Sequence, residues 1–391
     1  MAKREFNLKR DLAPIKGYLS TGCTLMDLAI TDKLTGGFPC GRISHIFGAE
    51  SSCKTVLVME ALGSAQRQGG HAWFEDAEET FDGDRAEDVF DLDISEKKFT
   101  YEVPTTVEDL FDGAIAKAIV SQKRKKAPLS AMGVDSLTAL GTIKEQETEL
   151  GSDPYGGARP KMIGTAIRKY VSALASANLA FIVIDQTRDS LAMFGPQTTV
   201  SGGKGMKFYS CVRIELFSGE KILNENERIV GQVFKFKVIK NKVGVPFREG
   251  YSRLIFNYGI DDVATNLDWL HENNPLTSED GESKLVKKPK KKVRKMVNAR
   301  GRKPKDDDEK KTKKFDGYGW KDGVIATSLE DAAIAVEENN LEVALREEVY
   351  RVWGEIHKVA PRKEKVRFET SKKTKENVKD KSKRRNETDS N

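Results

Sequence analysis

Lys54 and Thr55 carry the clearest chemistry in the sequence, and they close the stretch Gly48, Ala49, Glu50, Ser51, Ser52, Cys53, Lys54, Thr55. The apolar run 42–48 leads into it as a short strand, and residues 54–68 follow with helical periodicity. A turn in that context aims backbone N–H groups inward, and the helix N-terminus adds positive potential, which suits a triphosphate. Lys54 would reach the β and γ phosphates, and Thr55 would offer its hydroxyl to Mg²⁺. The second glycine of the G-x-x-x-x-G-K-[ST] pattern is here Cys53. A Cβ crowds a turn built for close approach. The thiol is expected within reach of the nucleotide, and alkylation there should be blocked by bound ATP.

The remaining chemistry sits at the ends of apolar runs. Asp135 follows the weaker strand pattern of residues 129–136 and fits the second ligand of the metal. Glu78, closing residues 71–78, could polarise a water for in-line attack on the γ-phosphate; Asp76 is the second candidate. Gln186 ends the apolar run 179–187, where a polar side chain faces the ligand crevice of an α/β sheet. Residues 188–207 are polar and Gly-rich, with Arg188, Lys204 and Lys207, the composition of a loop that orders on an anion. Residues 233–242 alternate apolar and basic, so Lys240 and Lys242 share one strand face, or line an exposed edge.

These groups need a scaffold, and the 391-residue chain divides by texture. Residues 1–17 form a basic arm, and 18–272 alternate apolar runs with helical patterns, the signature of an α/β protein. The expected fold is a P-loop ATPase core with a mostly parallel sheet flanked by helices, plus a small C-terminal helical region at 316–360 with Ser328 as N-cap. Residues 273–315 and 361–391 are too polar to order themselves. The formal net charge of +6 hides an asymmetry: residues 284–314 hold 16 Lys/Arg against 4 Asp/Glu, and 361–391 hold 12 against 6. The rest of the chain is acidic, and the two cationic stretches are either solvated linkers or nucleic-acid attractors. No apolar run of about 18 residues is present, no apolar leader opens the chain, and Cys23, Cys40, Cys53 and Cys211 show no pairing motif. A reducing cytoplasm and no membrane partner are expected.

From about Leu19 to Trp269 the chain resembles the RecA family of recombinases. The match is carried by residues 20–42 (STGCTLMDLAI followed by GGFPCGR), GAESSCKT at 48–55, FEDAEETFD at 74–82, VDS at 134–136, residues 184–216 and VIKNKVGVPF at 238–247. The resemblance implies ATP and Mg²⁺ as cofactors, with Glu78 as the catalytic glutamate and Asp82 on the adenine side. It further implies Asp135 as the metal carboxylate and Gln186 as the γ-phosphate sensor. Residues 187–205, including Gly202 and Gly203, fall on the second DNA-binding loop. Residues 144–161 fall on the first, where Arg159 and Lys161 are either phosphate contacts or surface charges. Phe208 matches a subunit-contact position, and Lys240 and Lys242 match lysines that reach a neighbour's ATP. Implied partners are single-stranded DNA, homologous duplex DNA, further copies of the chain in a helical filament, and single-strand-binding and mediator proteins. Cys53, the short amino-terminal arm, the basic tails and Arg85 at a family tyrosine position point to a divergent, phage-type member. Two rival readings are a ring helicase on the same core and a scaffold that binds ATP and DNA without hydrolysis.

Overall fold

The computed structural model describes residues 14–125, 128–147, 158–189, 198–200, 203–276 and 317–358. The amino-terminal half alternates helix and strand: α1 (Thr24–Thr31), β1 (Ile43–Gly48), α2 (Lys54–Arg67), β2 (Ala72–Asp76), α3 (Gly83–Phe90) and β3 (Phe99–Glu102). A π-helical stretch, Asp109–Ile115, runs into α4 (Ala116–Lys125), followed by β4 (Ser130–Asp135), α5 (Ala158–Ala177) and β5 (Leu179–Asp189). Next come β6 (Thr198–Val200), α6 (Gly203–Tyr209), β7 (Val212–Leu223), β8 (Ile229–Asn241), β9 (Glu249–Ile255), β10 (Gly259–Asp261) and α7 (Asp262–Asn273). Two more helices, α8 (Leu329–Glu338) and α9 (Glu342–Ile356), follow a short pair of strands, Tyr318–Gly319 with Ile325–Ala326.

The strand order is β10-β9-β8-β7-β1-β5-β4-β2-β3, with β6 paired to β5. From β3 to β7 the neighbours run parallel; β8, β9 and β10 continue the sheet antiparallel. Sequence texture explains the division. In β5, Leu179 to Ile184 are each at most 1% exposed, as an unbroken apolar run requires when helices cover both faces. In β8, Phe234, Phe236 and Val238 are buried while Lys235 and Lys237 point outward, the alternation of a sheet with one wet face. One apolar cluster fills the side of α1 and α2; the other fills the side of the π-helical stretch, α4 and α5. The expected α/β sheet is therefore present.

Two features depart from the expected texture. The stretch expected as a loop after Gln186 begins as strand: β5 runs on to Asp189 and pairs antiparallel with β6. Apolar side chains from 317–354 also join the cluster beneath α1 and α7. Trp353 lies 6.0 Å from the Trp269 ring, donates its indole N–H to Asp32 Oδ1 at 3.1 Å, and carries the Arg248 guanidinium 5.5 Å above its ring. Arg346 donates to Thr24 Oγ1 and to the Leu34 carbonyl, both at 2.9 Å. Ser328 caps α8 by accepting the Asp331 N–H.

Candidate functional site

The phosphate loop begins where β1 ends. Gly48 sits in register with Gln186 of β5 on one side and Leu216 of β7 on the other, so the polar end of β5 meets the loop directly. Ser51 and Cys53 both take left-handed backbone, with φ of 56° and 69°. Lys54 opens α2 and is only 8% exposed; its Nζ donates to the Ala49 carbonyl at 2.7 Å, the Gly48 carbonyl at 3.2 Å and Ser52 Oγ at 3.4 Å. Burial lowers its pKa, against the nearby carboxylates of Asp135 and Glu78. Cys53 corrects the sequence expectation. Its thiol is buried against Gln232 rather than presented to reagents, and burial raises its pKa.

Thr55 Oγ1 donates to Asp135 Oδ2 at 2.6 Å, which joins the start of α2 to the end of β4. Burial pushes Asp135 up to about 6; the Thr55 hydrogen bond and Lys54 oppose the rise, and Glu78 and Asp76 reinforce it. A hydroxyl and a carboxylate in contact are hard oxygen donors, so they fit Mg²⁺ bound jointly with a phosphate. Asp76 is the register partner of Asp135, but its carboxylate is committed elsewhere. It accepts the N–H groups of Thr80 and Phe81 at 2.8 Å, that of Glu78 at 3.2 Å, and the Tyr101 hydroxyl at 3.3 Å. Asp76 therefore folds the turn that carries Glu78. Glu78 is exposed, and Ser136 Oγ donates to its Oε1 at 2.7 Å.

A cavity of about 320 Å³ opens beside Thr55, lined among others by Met59, Phe74, Phe81, Asp82 and Arg85. Its apolar floor suits a flat aromatic base. Asp82 also caps α3 by accepting the Arg85 N–H at 3.2 Å.

The family profile of the RecA N-terminal domain matches residues 9–261. The chain belongs to the RecA family. It is 35% identical over 252 residues to Protein RecA of Mycoplasma mycoides subsp. mycoides, covering 64% of this chain and 69% of the relative. Protein RecA of Chlorobaculum parvum is 34% identical over 255 residues, 64% of this chain and 68% of the relative. Protein RecA of Thermus thermophilus is 34% identical over 252 residues, 63% and 69% respectively.

The residues that the RecA resemblance assigns to DNA and to neighbouring subunits are distributed as follows. Arg159 pairs with Glu145 at 3.4 Å and donates to the Thr138 carbonyl. Lys161 is exposed at the mouth of a groove with Val107, Phe111 and Lys169. Gly203 and Lys207 lie on α6, and Lys207 and Phe208 are exposed. The side chains of Arg188 and Lys204, and Gly202 as a whole, lie outside the described residues, as do residues 1–13, 277–316 and 359–391. The Lys240 ammonium donates to the Lys207 and Phe208 carbonyls, closing the C-terminal end of α6; Lys242 lies exposed just past β8.

One buried network escaped the sequence reading. His45 Nε2 lies 2.8 Å from Asp185 Oδ2, Arg213 Nε donates to His45 Nδ1 at 3.1 Å, and Thr138 Oγ1 donates to Asp185 Oδ1 at 3.1 Å. Because Nδ1 accepts, Nε2 carries the proton given to Asp185, and burial lowers the imidazole pKa. The network ties β1, β5 and β7 together one residue before Gln186. Its only sequence signal was a histidine inside an apolar strand, which does not name its partners.

Proposed function

We propose that this RecA-family protein is an ATP-dependent recombinase that polymerises on single-stranded DNA and promotes homologous pairing and strand exchange. The observation that carries the reading is the Thr55–Asp135 contact beside Lys54, with Gln186 in register against the loop. Lys54 and the backbone from Gly48 to Thr55, through Ala49, Glu50, Ser51, Ser52 and Cys53, bind the triphosphate; the cavity at Asp82 and Arg85 takes the base. Mg²⁺, held by Thr55 and Asp135, would withdraw charge from the bridging phosphate oxygens. Glu78, set by the Asp76 turn and by Ser136, orients the attacking water and receives its proton.

Gln186 couples nucleotide to DNA. Its strand continues into the β5–β6 hairpin, so a contact between the amide and the γ-phosphate biases the segment carrying Arg188, Gly202, Gly203, Lys204 and Lys207 toward DNA. Lys240 and Lys242 serve the ATP of the adjacent copy, and Arg159 and Lys161 add phosphate contacts. Such contacts supply affinity without sequence preference. The family's cytoplasmic setting, its single-strand-binding and mediator partners and a phage-type origin belong to the same reading.

Phosphate release, measured with and without single-stranded DNA, tests it. The wild type is expected to hydrolyse ATP faster with DNA. Glu78→Gln is expected to lose about 10²-fold or more in turnover while keeping ATP-dependent DNA binding, and Lys54→Ala to lose both. Full turnover in Lys54→Ala would overturn the site. ATP-dependent DNA binding by the wild type with no hydrolysis would favour the scaffold reading that Cys53 raises.

A further inference from the structure

We propose that Gln232 is a positioning residue for the phosphate loop, a brace that holds Ser51 and Cys53 in left-handed backbone, Cys53 standing where the loop pattern has glycine. The inference rests on the reading of residues 48–55 as the ATP site. Gln232 lies on β8, far from the loop in sequence, and is 5% exposed. Its side-chain amide donates to the Ser51 carbonyl at 3.0 Å and to Cys53 Sγ at 2.7 Å. Lys221 Nζ donates to Gln232 Oε1 at 2.7 Å. An ammonium has no acceptor to offer, so this contact fixes which end of the amide faces the loop. Ser218 Oγ adds a further donor to the Ser51 carbonyl at 3.2 Å.

The β7–β8 hairpin is built to make these contacts. The ladder slips between Gln232 and Phe234: Gln232 pairs with Lys221, but Phe234 pairs with Ser218. The extra residue on β7 is a bulge, a feature that re-aims side chains next to functional sites. Here Ser218 and Gln232 converge on one loop carbonyl. The need for a brace follows from backbone physics. A glycine adopts positive φ freely, whereas a residue with a Cβ does so only when its surroundings hold it there. Once the carbonyl of Ser51 and the thiol of Cys53 are released, the loop gains access to negative φ. The peptide N–H groups meant for phosphate then turn away.

The test is a double-mutant cycle on the full chain, with affinity for a non-hydrolysable ATP analogue plus Mg²⁺ as readout and thermal unfolding in parallel. Gln232→Ala is expected to weaken binding about tenfold, the worth of one or two hydrogen bonds, at little change in unfolding temperature. In a Ser51→Gly/Cys53→Gly background the same substitution is expected to cost less than about twofold, because neither glycine needs a brace. Should Gln232→Ala fold poorly, Gln232→Glu keeps the volume, loses the amide donors, and should show the same loss and the same rescue. Equal losses in both backgrounds, or none in either, overturn the brace. Lys54→Ala separates the two levels: retained analogue binding there would overturn the ATP site itself, whereas lost binding there with equal Gln232 effects removes the brace alone.

Discussion

Asp76 and Glu78 are two positions apart and have opposite surroundings. Asp76 is wholly buried and spends its oxygens on backbone N–H groups, while Glu78 faces solvent. The sequence offers both as bases, because a carboxylate at a strand end reads alike whether it folds a turn or faces a ligand. The thiols were equally illegible. All four cysteines are buried; burial pushes Cys23 and Cys40 up to about 12 and raises Cys53 and Cys211. Alkylation of native protein near neutral pH should therefore be slow with or without ATP and fast after denaturation; rapid native labelling would contradict this. Glu75 is a cost that composition hides. It is fully buried, and its two oxygens have no hydrogen-bond partner among the described residues. Burial first, then Glu102, pushes its carboxyl up to about 8 from 4.5, opposed by Lys117. Since the folded pKa lies above the unfolded one, its stabilising share is complete below pH 4.5 and is lost as pH rises through about 8. Glu75→Leu should gain about 1–3 kcal/mol at high pH and flatten unfolding temperature across that window; an unchanged pH profile would contradict the assignment.

At the scale of elements, the strands were the legible part. The patterns at 42–48, 71–78, 129–136 and 179–187 reappear as β1, β2, β4 and β5, and the helical runs reappear as α2 and α5. Unbroken apolar runs leave little choice in a parallel sheet. The β7 bulge and the β5–β6 pairing were not legible, because registers are set by partners distant in sequence. The packing of 317–354 was hidden for the same reason: Trp353 marks an apolar face, but Asp32, Arg248 and Trp269 are named only by the fold. Trp353→Ala should cost about 3–5 kcal/mol, read as a lower unfolding temperature. A loss under about 1 kcal/mol would mean that this helix contributes little to the shared core.

Across the whole molecule, the proposed function depends on groups that one copy does not bring together. Lys54, Thr55, Asp135 and Glu78 converge within the chain, whereas Lys240 closes α6 of its own protomer and Lys242 and Phe208 face outward. Charge patterning left a nucleic-acid partner and a solvated linker both open, and the two most cationic stretches lie outside the described residues, so their targets rest on electrostatics alone. On the proposed reading, nucleotide at the seam between copies governs the grip on DNA. Electron microscopy of the protein on single-stranded DNA, with an ATP analogue against ADP, decides whether it does. Extended helical filaments are expected with the analogue and sparse or collapsed ones with ADP, and Lys240→Ala with Lys242→Ala should remove that difference. Closed rings, or dispersed particles under both nucleotides, would contradict it.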